Sequence, residues 1–295
     1  MEQKTPLADL SAAKTGLMAG KRGLVMGVAN DHSIAWGIAQ MLASHGAEIA
    51  FTYQGDAQKK RLARLADSIG SKIVLQADVE SDEQLDAVFA QLESEWGGLD
   101  FLVHSLAFSD AKELSGRYVD TTRANFLKSL DISCFSFTAV AQRAARLMKA
   151  GGALVTLSYL GAQKVMPNYN VMGVAKAALE ASVRYLAADL GRDNIRVNAI
   201  SAGPMRTLAG SGVTDARVVF KWAKHTSPLQ RSVELNHVGG AALYLLSDLS
   251  GGVTGEIHFV DAGFNVVGMP PTADLKGWAP PEKSQEQDNG SSPQG

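Results

Sequence analysis

The feature that most constrains this chain is a regular alternation of short, nearly continuous apolar runs with longer amphipathic stretches. The runs fall at Leu24–Met26, Ala47–Tyr53, Lys72–Gln76, Asp100–His104, Ala153–Leu157, Ile195–Ile200 and Glu256–Val260. Helical spacing marks Ser33–His45, Ala57–Ile69, Asp82–Trp96, Thr121–Met148, Asn168–Leu190 and Asn236–Leu246. Strands that are apolar almost throughout are buried on both faces. Their alternation with helices predicts an α/β fold: one doubly wound domain with a seven-stranded parallel sheet flanked by helices and right-handed crossovers. In such sheets ligands bind beyond the carboxyl ends of the strands. The segments directly after each strand are therefore where function is to be sought.

A doubly wound sheet uses about 250 residues without needing a second core, so a chain of 295 residues reads as one domain over 21–269. Residues 1–20 read as a lead-in. After Met269 come Pro270, Pro271, Pro280, Pro281 and Pro293 with a Ser/Gln/Asn/Gly end, which predicts a disordered tail over 270–295. The formal net charge of −2 argues against a nucleic-acid partner. It leaves room for an acidic protein docking on a local basic patch. A single cysteine, Cys134, permits no internal disulfide and fits a reducing cytoplasm. It falls in a helical segment, where a packed or free thiol is expected rather than a nucleophile. No apolar stretch is long and charge-free enough to span a bilayer, and the N-terminus lacks a secretory pattern, so a cytoplasmic location without membrane contact is expected.

After the first strand comes Gly27-Val28-Ala29-Asn30-Asp31-His32-Ser33-Ile34-Ala35-Trp36-Gly37. A glycine turn entering a helix cradles a pyrophosphate with backbone N–H groups and the positive helix end. The loop is longer than the usual G-x-G-x-x-G. Ser33 suits either a helix cap or a phosphate contact. After the second strand stands Gln54, able to bond a ribose hydroxyl or simply to face solvent. No Arg or Lys sits at that turn to pair a 2′-phosphate, which favours NADH over NADPH. After the third strand, Asp78 can accept from an adenine amino group while Val79 packs on the ring; a helix N-cap is an equally good reading of Asp78. After the fourth, small Ser105 and Ala107 let the backbone approach a cofactor ribose, and His104 reads as a strand-end packing residue.

The segment after the fifth strand is the richest, with Tyr159, Tyr169 and Lys176. Tyr169 and Lys176 are seven residues apart, nearly two helical turns, which puts them on one face about 10 Å apart along the axis. A lysine there can hold a nicotinamide ribose, and its charge favours the ionised tyrosine. A helix with one buried Tyr and one solvated Lys fits the spacing as well. After the sixth strand, Ser201–Thr207 is turn-prone. Residues 210–225 then read either as a substrate-covering segment, with Val218, Val219, Phe220 and Trp222 as an apolar lid, or as an ordinary surface helix.

Together these segments resemble the short-chain dehydrogenase/reductase superfamily and, within it, the bacterial enoyl-acyl-carrier-protein reductases. The looped turn Gly27–Gly37, the paired Tyr159 and Tyr169 with Lys176, the string Arg196-Val197-Asn198-Ala199-Ile200-Ser201-Ala202-Gly203-Pro204 and the late Asp261-Ala262-Gly263-Phe264 carry the likeness, which spans Leu17–Met269. The resemblance implies a Rossmann-like fold and NADH contacts at Gly27, Ser33, Ile34, Gln54, Asp78, Val79, Ser105, Leu106, Lys176 and the loop Met205, Arg206, Thr207, Leu208, Ala209. It implies catalytic roles for Tyr159, Tyr169 and Lys176, and no metal. Ala107 and Ser109 depart from close relatives, which often carry Gly and Ala there. Both lie at the implied substrate pocket.

The implied reaction reduces the C2–C3 double bond of a trans-2-enoyl thioester, the last step of a fatty-acid elongation cycle. Tyr169 donates to the developing enolate, Lys176 holds the nicotinamide ribose, and Tyr159 supplies a proton or shapes the pocket. A ketone reductase of the same superfamily places its lysine four residues after the tyrosine and a serine thirteen before; here those positions hold Gly173 and Thr156. An inactive nucleotide-binding protein is the other rival, and the retained Tyr159, Tyr169 and Lys176 argue against it. The implied partners are an acyl-carrier-protein substrate and three further copies in a homotetramer. Arg206, Arg217, Lys221 and Lys224 are either a basic docking rim or scattered solvated charges.

Overall fold

A computed structural model describes residues 16–207 and 215–269. The apolar runs become β1 (Arg22–Met26), β2 (Glu48–Tyr53), β3 (Ile73–Gln76), β4 (Phe101–His104), β5 (Gly152–Ser158), β6 (Ile195–Ala202) and β7 (Ile257–Val260). All pair in parallel, in the order β3-β2-β1-β4-β5-β6-β7. The chain winds outward from β1 to β3, then crosses back to lay β4 on the other side of β1. The crevice beyond the ends of β1 and β4 is thus the topological switch point.

The helices are α1 (Ile34–Ser44), α2 (Asp56–Ser68), α3 (Asp82–Trp96), α4 (Ala111–Leu114), α5 (Arg123–Leu130), α6 (Ser136–Leu147), α7 (Asn170–Leu190), α8 (Ala216–Thr226) and α9 (Leu235–Leu246). They form two apolar layers. On one face α1 and α9 pack Trp36, Ile38, Leu42, Val238 and Leu245 against Val25, Phe51 and Val103. On the other, α3, α6 and α7 pack Leu85, Phe137, Val140, Leu179 and Val183 against Leu24, Leu102 and Leu154. Alternate residues of the central strands feed opposite layers, because successive strand side chains point to opposite faces.

Two local readings of the sequence are corrected, at 121–148 and at Asp78, whereas Gly37 lies inside α1, as the helical spacing over Ser33–His45 implies. A Cβ there would sit 2.6 Å from Leu235 Cβ, and one on Gly239 would sit 2.9 Å from Gly37 O, so this pair of glycines lets α1 and α9 touch backbone to backbone. The stretch 121–148 is not one regular helix: a π turn, Asp131–Phe135, interrupts it between α5 and α6. The extra residue turns Ser133 toward Phe108, whose N–H donates to Ser133 Oγ at 2.9 Å. Asp78 is not the cap of α3. Ser81 is, accepting from Gln84 N–H at 3.3 Å. The expected lead-in lies outside the described residues up to position 15, and the expected tail lies outside them entirely.

Candidate active site

The end of β1 is built for close approach. Gly27 adopts φ +98°, and a Cβ there would strike the Ser105 carbonyl oxygen. Only glycine fits that contact and that left-handed backbone. Ser33 does not cap α1 with its side chain. Its Oγ instead accepts from the N–H groups of Ala29 and Asn30, both at 3.0 Å, and closes the loop. Ile34 then begins α1.

The next two segments meet side by side. Gln54 Nε2 donates to Asp78 Oδ2 at 3.0 Å, while Asp78 Oδ1 accepts from Glu80 N–H at 3.0 Å. Gly27, Gln54, Asp78, Val79, Leu106, Ala107 and Phe108 share one cavity of about 220 Å³. Segments from β1, β2, β3 and β4 thus converge as the switch-point rule requires. Two cations the sequence reading missed come from α2. Lys59 Nζ lies 5.5 Å from the Tyr53 ring centre, and Arg61 Nη1 donates to Ala29 O at 3.4 Å. They are helical residues past the turn, so adjacency to the turn did not reveal them. A second cavity of about 580 Å³, lined by Pro228, Phe259, Asp261 and neighbours, contains none of the expected site residues.

Beyond β5 the chain makes a short turn, Leu160–Ala162, before α7. Tyr169 is the residue that caps the start of α7. Asn168 and Asn170 on either side take left-handed φ of 56° and 29°, a conformation asparagine tolerates better than most residues. Tyr159 and Tyr169 meet edge to face, ring centres 5.0 Å apart and planes at 71°. Glycines hold this arrangement. A Cβ on Gly161 would strike the Tyr169 ring, and one on Gly173 would sit 2.8 Å from Gly161 O. A lysine at position 173, where ketone reductases keep theirs, has no room. Lys176 is buried, and its ammonium donates to Leu157 O at 2.8 Å.

Electrostatics revise one expectation. Burial pushes Lys176 down to about 8, opposed by Cys134 and Glu180. Burial also pushes Tyr159 up to about 12 and holds Tyr169 well above the ordinary phenol value, with Tyr159 and Glu180 adding to the effect. Burial, then Tyr159 and Glu180, all disfavour the Tyr169 phenolate, against the expectation that Lys176 favours it. The Tyr169 phenol therefore stands neutral.

Glu180 was missed in the sequence. It is buried, four residues after Lys176, and it accepts from Ser158 Oγ at 2.6 Å and Gln163 Nε2 at 3.2 Å. Its one sequence signal was a charge on the apolar face of the helix. His104 is the packing residue expected. It is fully buried, with Nδ1 3.0 Å from Thr156 Oγ1 and Nε2 2.8 Å from Ser136 Oγ; burial, then Lys176, hold it down to about 3. Cys134 is buried on the π turn, its thiol 3.5 Å from Ser182 Oγ. Ser109 pairs with Asn125 through contacts of 3.2–3.3 Å.

After β6, Met205 is buried and Arg206 exposed, and Thr207 N–H donates to Met205 O at 2.9 Å. Leu208 and Ala209 lie outside the described residues. Of the segment expected to cover the site, α8 is described. Its Ala223 packs with Leu160 and Phe264, against Tyr159. Its other face exposes Arg217, Lys221 and Lys224 beside Val218 and Trp222.

The chain matches the family model described as Enoyl-(Acyl carrier protein) reductase over residues 27–265. It is 62% identical to "Enoyl-[acyl-carrier-protein] reductase [NADH] 2" of Rhizobium meliloti, over 86% of this chain and 95% of that relative. Among solved structures, FabI from Candidatus Liberibacter asiaticus matches with a TM-score of 0.85 at 54% identity, covering 87% of this chain and 99% of that one. The Anaplasma phagocytophilum reductase, solved in complex with NAD, matches with a TM-score of 0.84 at 58% identity, covering 86% and 97%. With the parallel sheet, the switch-point cavity, the Tyr159–Tyr169 pair and Lys176 in the second turn of α7 on the page, these matches establish that the chain belongs to the enoyl-acyl-carrier-protein reductase family of short-chain dehydrogenase/reductases.

Proposed function

We propose that this chain reduces the C2–C3 double bond of trans-2-enoyl thioesters carried on acyl carrier protein, with NADH, as the last step of a fatty-acid elongation cycle. One observation carries the reading: α7 presents Tyr169 and Lys176 with Gly173 between them, so the lysine position of a ketone reductase is sterically closed. The "[NADH]" in the relative's name and the NAD in the Anaplasma complex support the cofactor.

The residues fit a dinucleotide. The close backbone approach at Gly27 and the Ser33-closed loop before α1 offer N–H groups and a positive helix end to a pyrophosphate. Gln54, Asp78 and Val79 would hold the adenosine half, with the Asp78 carboxylate disfavouring a 2′-phosphate nearby. Ser105, Leu106 and Lys176 would hold the nicotinamide ribose, and the Met205–Ala209 loop would cover the pyrophosphate and the carboxamide. NADH, when bound, supplies the hydride that the C3 carbon receives.

The chain's own part is positioning and charge stabilisation. Tyr169, neutral at any working pH, donates its hydroxyl hydrogen bond to the thioester oxygen as enolate charge develops there. Lys176 adds positive potential at the ribose. Tyr159, edge-on to Tyr169, shapes the pocket or passes the proton that C2 takes up. Ser109 borders the acyl site. Helix α8, packed on the Tyr159 turn, helps exclude water, and its stripe of Arg217, Lys221 and Lys224, with Arg206, receives the acidic carrier. The assembly is a homotetramer in the cytoplasm, with 21–269 as the catalytic domain.

The test is loss of NADH absorbance with purified chain, comparing enoyl thioesters of several lengths with 3-ketoacyl thioesters, and NADH with NADPH. Turnover of enoyl thioesters with NADH is expected. A preference for ketoacyl thioesters overturns the reading, and binding of NADH without turnover of either substrate favours the inactive nucleotide-binding alternative.

A further inference from the structure

Glu180 is a buried acid that the chemistry above does not use. Lying four residues after Lys176 on α7, it shares that residue's helix face, and it is 4% exposed. Each carboxylate oxygen takes one donor: Oε1 from Ser158 Oγ at 2.6 Å, Oε2 from Gln163 Nε2 at 3.2 Å. Ser158 ends β5, and Gln163 follows the turn Leu160–Ala162. Tyr159 stands between these two anchors. A single side chain of α7 therefore grips both sides of the turn that carries Tyr159, while the start of the same helix carries Tyr169, whose ring Tyr159 meets at 5.0 Å. Packing alone does not call for an acid here. A buried carboxylate is costly, and a leucine or methionine would fill the space between β5 and α7 without that cost.

We propose that Glu180 is a positioning residue of the reductase site: its carboxylate clamps the Tyr159 turn onto α7 and supplies the counter-charge to the Lys176 ammonium. The proposal rests on the roles given above to Tyr159, Tyr169 and Lys176. The groups coupled to Lys176 are His104 from β4, Cys134 from the π turn and Glu180 on its own helix, and the Leu157 carbonyl of β5 takes its hydrogen bond. Glu180 is the one carboxylate among them. It also couples to Tyr169, as does Tyr159. Burial drives Lys176 down to about 8 while Glu180 pulls the other way, so losing the Glu180 charge lowers the pH at which the ammonium is lost.

The experiment separates charge from clamp. NADH affinity is followed against pH by fluorescence, with kcat and KM measured on an enoyl thioester, for Glu180→Gln, Glu180→Asp and Gln163→Ala. Glu180→Gln keeps the size and removes the charge; its loss of NADH affinity on the alkaline side moves to lower pH by about one unit. Glu180→Asp keeps the charge but is one methylene short of reaching both donors. Its alkaline limb stays at the wild-type pH while kcat falls about tenfold, or ~1.4 kcal/mol in the barrier, with KM for NADH unchanged. Gln163→Ala cuts one arm and lowers kcat severalfold without moving the limb. A Glu180→Gln limb that coincides with wild type, or a loss equal at every pH, overturns the proposal. Should Glu180→Gln fail to fold by circular dichroism, wild-type kcat in both other variants overturns it. Tyr169→Phe and Lys176→Ala run in parallel: full turnover in both sinks the site assignment, whereas their impairment beside a wild-type Glu180→Gln sinks only the role of Glu180.

Discussion

The Lys176 ammonium donates to the Leu157 carbonyl oxygen at 2.8 Å, spanning the gap between α7 and the carboxyl half of β5. An ammonium has three donors, so this bond aims the charged head at the strand ends, where the ligand crevice lies, with donors left over. The same contact explains how a lysine can be 5% exposed in an apolar layer: its head is hydrogen-bonded even where water is absent.

Lys176 is charged below its depressed value of about 8 and neutral above it. NADH affinity is therefore expected to hold at neutral pH and to decline as pH rises through about 8. Lys176→Ala removes both the bond and the charge. It is expected to weaken NADH binding by about 2 kcal/mol, roughly thirtyfold in Kd, and to abolish that pH dependence. Fluorescence titration of NADH across pH measures both, and an alkaline decline retained in the variant contradicts the assignment.

Tyr169→Phe keeps the edge-to-face ring contact with Tyr159 and removes only the hydroxyl. Loss of one donor to a developing oxyanion typically costs about 10²–10³ in kcat. The expected result is a kcat lower by that factor with the Kd for NADH within about twofold of wild type. Because burial holds both phenols above their ordinary value, no alkaline limb from tyrosine ionisation is expected below about pH 10.

His104 is neutral in the fold. Its value there is about 3, against 6.5 when exposed. A base whose folded value is depressed contributes stability that is complete above the unfolded value and is lost as pH falls toward the folded one. From about pH 7 to about pH 5 this costs roughly 2 kcal/mol. His104→Asn gives up the imidazole bridge between Thr156 and Ser136 and is expected to be less stable at neutral pH. Its urea midpoint should then fall less steeply between the two pH values than wild type does. Equal slopes refute the attribution.

Arg217, Lys221 and Lys224 share an exposed stripe of α8 with Val218 and Trp222. Charge reversal at Lys221 and Lys224 together is expected to raise KM about tenfold for an enoyl group on acyl carrier protein, and to leave KM for a small enoyl thioester unchanged. The difference should shrink in high salt. An equal rise for both substrates would place these residues in the acyl site instead.

Much of the architecture was legible in the sequence because it is local. The apolar runs gave seven strands with ends within two residues of those found, and the helix spacing of Tyr169 and Lys176 survives as their placement at the start and in the second turn of α7. Gly27 was legible too, since an apolar run ending in glycine is a strand-to-helix signal. The switch point needed no structure to be expected, only the strand–helix alternation.

What only the tertiary structure decided involves partners distant in the chain. Gly37 proved to be a contact with α9, some 200 residues on. Glu180 found its donors at Ser158 and Gln163, and the π turn brought Ser133 and Ser136 to Phe108 and His104. The sign of the tyrosine effect was likewise invisible, because spacing along a helix fixes how near a charge can be but not how much water is excluded around it. Desolvation is set by every element packed over a group: at Tyr169 it adds to the effect of the neighbouring charges, and at Lys176 it outweighs them. Periodicity and turn residues therefore determined the sheet and the helix that places Tyr169 and Lys176, and burial, a property of the whole fold, decided in which protonation state those residues stand.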